Sequence, residues 1–179
     1  MATPHNEPTI ESRLAYQGRI VSVRVDKVRL SRGTLATREI VEHSEAVCIV
    51  PVDEDNNVIL VSQYRKPVEE SLLEVPAGGV EKGEVSEEAV LRELQEETGY
   101  TSDRLQHLSS FWTTPGFCTE LMHAYLATGL RPSDLPQDED EEVRVVKVPL
   151  DKIPDMIRRG EIRDAKSIAS LLMALYLYK

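Results

Sequence analysis

Cysteine is scarce in this chain, with two residues in 179, Cys48 in the apolar run AVCIVPV and Cys118 in the loop-like PGFCTE. Neither has a second cysteine at metal-ligand spacing, so both read as plain reduced thiols and not as a disulfide framework or a zinc site. Basic residues are also short: 21 Lys and Arg stand against 31 Asp and Glu, a net charge of -10. Nucleic-acid binding is dominated by cations at phosphates, so this balance argues against such a partner. It leaves room for a small anionic substrate shielded by metal ions. Long apolar runs are missing too, and none approaches the roughly 20 residues that span a bilayer. The opening MATPHNEPTIESRLAYQGR lacks a basic region followed by an apolar stretch, so no export signal and no membrane association are expected, and a cytoplasmic location is.

What is present suits one soluble globular core with a short appended subdomain. From Arg19 to Arg29, apolar and polar residues alternate with the period of a half-buried strand; Ser31-Arg32-Gly33 reads as a turn, and Thr37 to Val41 alternates again. These predict a small antiparallel sheet over residues 1–43, too small to stand alone. AVCIVPV and VILVSQY, separated by Asp53-Glu54-Asp55-Asn56-Asn57, predict a buried hairpin. Past the breaker cluster Pro76-Ala77-Gly78-Gly79, helical periodicity runs from Ser86, the expected N-cap, to Thr98, with Gly99 as the stop. Strands at 105–113, 123–127 and 143–148 and helices at 151–159 and 167–178 follow. The last helix carries a stripe of Ile168, Leu171, Leu172, Leu175 and Tyr176 that reads as core. This order predicts an α/β chain with a mixed sheet between helices, a β subdomain over 1–43 and a main domain over 44–179.

The chemistry concentrates in that middle helix. Glu93, Glu96 and Glu97 stand at i, i+3 and i+4 and share one face. Alone, they read as a solvated acidic face softened by Arg92. Entered from the glycine-bearing loop PAGGVEKGE, they also suit a hard divalent cation, which takes oxygen ligands and shares its shell with substrate phosphates.

From Gly78 the spacing is Gly78, five residues, Glu84, seven residues, Arg92-Glu93-Leu94, one residue, Glu96-Glu97, one residue, Gly99-Tyr100. This segment resembles the signature of the Nudix hydrolases, departing only in Tyr100, where the general pattern has an aliphatic residue. The resemblance implies a Nudix fold and cleavage of a diphosphate bond with Mg2+ (or Mn2+), two or three ions being held in the substrate complex. It implies Glu93, Glu96, Glu97 and the main-chain carbonyl of Ala77 as metal ligands, with Gly78, Glu84, Arg92 and Gly99 structural and Glu84 paired to Arg92. Pro115, fifteen residues beyond Tyr100 in TTPGFCTE, together with QYRKPVEESLLEVPAGGVEKGE and GEIRDAKSIASLLMAL, is similar to the branch that hydrolyses ADP-ribose to AMP and ribose 5-phosphate.

In that branch the N-terminal strands exchange within a homodimer, and the corresponding adenine contacts here are Ile20 and Arg38; Arg65, a fixed cation near the catalytic loop, is a candidate diphosphate or ribose contact, and Gly116, Phe117 and Glu120 of the proline loop are further substrate-binding candidates. Arg65 reads otherwise as a surface residue paired with Glu69 or Glu70. The resemblance places a general base in the acidic run LPQDEDEEVRV, with Glu141 first, Glu139 and Glu142 next, and Glu141 also a metal ligand; a plain solvated loop is the alternative. Glu96 and Glu97 are further catalytic candidates. Two other readings remain open: hydrolysis of a different nucleoside diphosphate sugar or dinucleotide, and a non-catalytic ADP-ribose sensor. The retained carboxylates and the lack of room for a DNA-binding domain speak against the sensor.

Overall fold

A computed structural model describes residues 6–133 and 142–177. The chain divides into two units, one of Met1–Ser44 with Trp112–Leu121, the other of Glu45–Phe111 with Met122–Lys179.

In the first unit, β1 (Thr9–Gln17), β2 (Ser22–Arg29) and β3 (Leu35–Glu42) form an antiparallel sheet in chain order. The β2–β3 turn closes where Ser-Arg-Gly predicts it: Leu30 and Thr34 pair, and Gly33 takes φ 87°, a conformation open to a residue without Cβ. Sequence reading missed β1, whose residues are all exposed and whose pairing carries two irregularities, at Thr9/Glu11 and Leu14/Tyr16. The segment 112–121 joins this unit through bonds from Val41 N–H to the Phe117 carbonyl and from Thr119 N–H to the Val41 carbonyl.

The second unit holds two sheets. One has the order β7-β4-β9-β8, from β7 (Ala77–Gly79), β4 (Ala46–Pro51), β9 (Leu121–Pro132) and β8 (Tyr100–Trp112); the other has the order β10-β5-β6, from β10 (Val143–Pro149), β5 (Asn57–Arg65) and β6 (Glu70–Glu74). The first is mixed, since β4 runs parallel to β9 and antiparallel to β7.

Every residue of β4 is buried because its alternate side chains enter two cores. Val47 and Ile49 pack with Tyr125 and Ala127 against Ala89, Val90 and Leu94 of α1 (Ser86–Thr98). Cys48 and Val50 face Val58, Leu60, Ala124 and Leu126 and, beyond them, Ile153 of α2 (Ile153–Arg158) and Leu171 and Ala174 of α3 (Ala165–Leu177). Burying one such aliphatic side chain contributes roughly 1.5–3 kcal/mol. A 3-10 turn, Leu150–Lys152, leads into α2. The two cysteines form no disulfide.

Three expectations are corrected. The buried hairpin does not exist as one ladder: β4 and β5 belong to different sheets, with the isolated bridge Val52↔Val58 just beyond β4, because a continuous apolar run shows that both faces are buried but not which neighbour pairs. The N-cap of α1 is Val85, whose N–H donates to the Glu88 carboxylate, while Ser86 is helical and its hydroxyl meets that of Tyr125 at 2.7 Å. On α3, Leu171 is buried but Leu172 and Tyr176 are 46% and 74% exposed, since the helix turns its Ser167-Ser170-Leu171-Ala174 face inward.

Candidate active site

The acidic face is built by α1 and the short strand beside it. Gly99 ends the helix in the left-handed region at φ 73°, its N–H donating to the Gln95 carbonyl, as expected of a glycine stop. β7 pairs with β4 through Val47↔Gly78 and Cys48↔Ala77, which fixes the backbone opposite the carboxylates. A Cβ at Gly78 would occupy the space of the Glu93 carboxyl group, so the absent side chain is what seats Glu93. One residue earlier, Ala77 N–H donates to Glu97 Oε2 at 3.2 Å. Glu93 and Glu97 are only 8% and 3% exposed.

Arg92 ties loop to helix. Its Nε donates to Glu84 Oε1 at 3.0 Å and its Nη2 to Glu84 Oε2 at 3.1 Å and to the Gly79 carbonyl at 2.9 Å. Nη1 reaches Glu93 Oε1 at 2.7 Å and Glu96 Oε2 at 3.0 Å. The hydrogen bonds to Glu84, then Glu93, hold the guanidinium far above its ordinary pKa, and Arg92 in turn holds the Glu84 carboxyl below the usual range.

Among the described residues, no three His, Cys, Asp or Glu side chains stand close enough to hold a metal ion. The donor chemistry nonetheless fits Mg2+. Two nearly buried carboxylates and a third beside them are hard oxygen donors, and buried charge of one sign requires a cation. Here Arg92 Nη1 bridges Glu93 and Glu96 while Glu97 takes a backbone N–H, so each acid is held by a donor that leaves further lone pairs for a cation.

Arg65, at the end of β5, pairs with neither Glu69 nor Glu70. Glu69 binds Lys66, and Glu70 binds Arg163. Arg65 instead makes a two-pronged bond to Glu74, Nε to Oε1 and Nη2 to Oε2, each 2.9 Å. Burial pushes the Glu74 carboxyl up, but Arg65 and Lys166 outweigh it and leave the group below its ordinary range. Sequence reading missed this partner, though a glutamate inside the apolar text LLEVPAG is itself a signal that a cation must be near.

In the first unit a cavity of about 420 Å³ brings Arg38 together with Gly116 and Phe117, and with Pro115, Asp26 and Glu7. Arg38 is held by Glu7, Nε at 2.9 Å and Nη2 at 2.8 Å. Ile20 stands 65% exposed and does not line the cavity, nor does Glu120, which lies 3.6 Å from His43 Nδ1. Glu141 and Glu139 fall outside the described residues; Glu142 is exposed just before β10.

A family model described as the NUDIX domain matches residues 42–171, which contain the whole carboxylate helix, its arginine and its glycine strand. The chain belongs to the Nudix family. A second model, the nucleoside diphosphate sugar hydrolase N-terminal domain, matches residues 7–41, the three-stranded sheet of this Nudix protein. The methanol dehydrogenase activator of Bacillus methanolicus is 41% identical over 167 residues, 92% of this chain and 90% of the relative. The ADP-ribose pyrophosphatase of Bacillus subtilis (strain 168) is 40% identical over 163 residues, 90% of this chain and 88% of the relative. A solved structure titled as that of an ADP compounds hydrolase superposes with a TM-score of 0.89 at 25% identity, covering 99% of this chain and 96% of the other.

Proposed function

We propose that this Nudix protein hydrolyses the diphosphate bond of ADP-ribose to AMP and ribose 5-phosphate in a metal-dependent reaction. The observation that carries the reading is the acidic face of α1, where Arg92 holds Glu93 and Glu96, the Ala77 N–H holds Glu97, and the missing side chain of Gly78 makes room for Glu93. The 40% identity to an ADP-ribose pyrophosphatase, over 90% of this chain, favours ADP-ribose over other nucleoside diphosphates.

Glu93, Glu96, Glu97 and the Ala77 carbonyl would hold Mg2+, with Mn2+ as a substitute and two or three ions in the substrate complex. Bound there, Mg2+ lowers the pKa of a water and spreads the charge of the diphosphate. Arg92 and Glu84 keep the acidic face in place. Arg65 donates to a phosphate oxygen, a charge-assisted bond suited to its fixed cation. Arg38, with Gly116 and Phe117, offers the nucleoside a planar cation and an apolar neighbour. Glu141 takes the proton from the attacking water, with Glu139 and Glu142 as the alternatives the same loop provides.

Two copies of the chain would pair through the N-terminal sheet. Ile10, Leu14 and Tyr16 of β1 are 50%, 54% and 58% exposed, apolar surface that an isolated sheet of this size leaves in water. Among the described residues no helix is long and apolar enough to cross a membrane, and the cytoplasm remains the expected location.

A second reading, cleavage of a different nucleoside diphosphate compound, draws on the likeness to the structure titled as that of an ADP compounds hydrolase. Rates with ADP-ribose, GDP-mannose and NADH, products resolved chromatographically, decide between them: ADP-ribose with the highest kcat/KM and AMP as product supports the first, and another substrate in that place supports the second.

A further inference from the structure

β5 and β6 pair in the register Arg65↔Glu70 and Val61↔Glu74, so the Arg65 side chain does not reach across to its own partner. It lies back along the ladder, and its guanidinium is fixed four residues further down β6, at Glu74. That carboxylate also accepts, at the same Oε2 that Arg65 Nη2 binds, from Lys166 of α3, whose Nζ also binds Asp164 Oδ2 at 3.0 Å. Asp164 Oδ2 accepts from Ser167 N–H at 2.9 Å and from the Ser167 hydroxyl at 2.6 Å, and the Ser167 hydroxyl oxygen accepts from Val75 N–H at 2.9 Å. Two cations and two carboxylates therefore alternate in one chain of bonds that joins β5, β6 and the start of α3.

The side chains of Glu74, Lys166 and Asp164 are 1%, 11% and 20% exposed, whereas Arg65 at the end of the chain is 37% exposed. The charge of Glu97 reaches the same guanidinium. Burying a full ion network is a poor route to stability, since apolar residues of similar volume do as well or better. Its distinctive product is orientation, because a guanidinium gripped on two nitrogens has a fixed plane.

We propose that Glu74, Lys166 and Asp164 are positioning residues that aim Arg65 at the diphosphate, with α3 supplying the buried cation that holds Glu74 in place. This rests on the reading that Arg65 contacts substrate. Lys166 acts through Glu74 and touches no reacting atom.

A double-mutant cycle on the full-length protein with ADP-ribose and Mg2+ tests it, using Arg65→Ala, Lys166→Met, Glu74→Gln and the pairs of the latter two with Arg65→Ala, with thermal unfolding of each. Arg65→Ala is expected to lower kcat/KM about 10- to 100-fold, the range of a lost charge-assisted bond. Lys166→Met is expected to lower it about 10-fold alone and by less than about 2-fold in the Arg65→Ala background, because the two act as one unit. Lys166→Arg, which keeps the buried cation, recovers most of that loss. Equal losses in both backgrounds, tracking the fall in Tm, overturn the proposal. Should Lys166→Met not fold, Glu74→Gln, which keeps size and one acceptor, gives the same comparison. An unchanged kcat/KM for Arg65→Ala removes the substrate reading of Arg65 instead, and the proposal with it.

Discussion

Replacing Gly78 by Ala separates activity from stability at this site. The backbone of Gly78 is not in the left-handed region, so alanine meets no conformational penalty in β7. The added Cβ would fall on the carboxyl carbon and both oxygens of Glu93. Those atoms end a rotatable side chain, so Glu93 swings out and the strand stays paired to Val47. The displaced carboxylate gives up its 2.7 Å bond from Arg92 Nη1 and returns to water from 8% exposure. Losing one such bond while regaining solvation costs about 1 kcal/mol. For a chain of this size that is a Tm fall of roughly 2–4 °C. Activity falls much further. A metal ligand lost from the acidic face removes roughly 100- to 1,000-fold in kcat/KM, and half-saturation with Mg2+ rises roughly 10- to 100-fold. Product formation from ADP-ribose across a Mg2+ titration, beside thermal unfolding without metal, reads both quantities. Wild-type rate and metal dependence in a folded Gly78→Ala protein would refute the placement of Glu93 at the metal.

Glu84→Gln removes the carboxylate that grips Arg92 on two nitrogens and leaves it only Glu93 and Glu96 as ionic partners, so stability falls by about 1–2 kcal/mol in urea unfolding and kcat/KM falls roughly 10-fold or more. Glu74 has a folded pKa below its unfolded value, so the folded state binds fewer protons. Its stabilisation is complete above an unfolded pKa of about 4.3 and is lost as pH falls through the lower folded value. Glu74→Gln should therefore flatten the acid limb of the urea-unfolding free energy, and an unchanged limb contradicts the assigned direction. Among Glu139→Gln, Glu141→Gln and Glu142→Gln, the Glu141 variant should lose about 100-fold or more in kcat and the other two less than 10-fold; equal small losses in all three place the base elsewhere. Deleting β1 residues 9–17 should convert a dimer to monomers in sedimentation, and a monomeric intact protein ends the homodimer reading.

The acidic face was legible because helical spacing alone aligns positions 93, 96 and 97 and Gly99 marks the end of the helix. The Glu84–Arg92 contact was legible only through the resemblance to the Nudix signature, which implies that pair. Pairings carried by distant residues were not. Arg65 has acids nearby at 69 and 70, yet the strand register sends its side chain to Glu74, and Lys166 reaches the same carboxylate from 92 positions away. Composition gives no sign of such a meeting beyond a charge set in an apolar run. The continuous run of β4 showed burial on two faces without showing that β5 leaves for another sheet. Alternation gave β2 and β3, but β1 carries bulges that blur its period, and only its pairing with β2 marks it as a strand.

The most direct test is hydrolysis of ADP-ribose with Mg2+ by the wild-type protein and by Glu97→Gln, products resolved chromatographically. Metal-dependent hydrolysis at the α1 carboxylates predicts AMP and ribose 5-phosphate from the wild type and a loss of about 100-fold or more in the variant. Binding of ADP-ribose without cleavage by the wild type, or cleavage undiminished by Glu97→Gln, would contradict it.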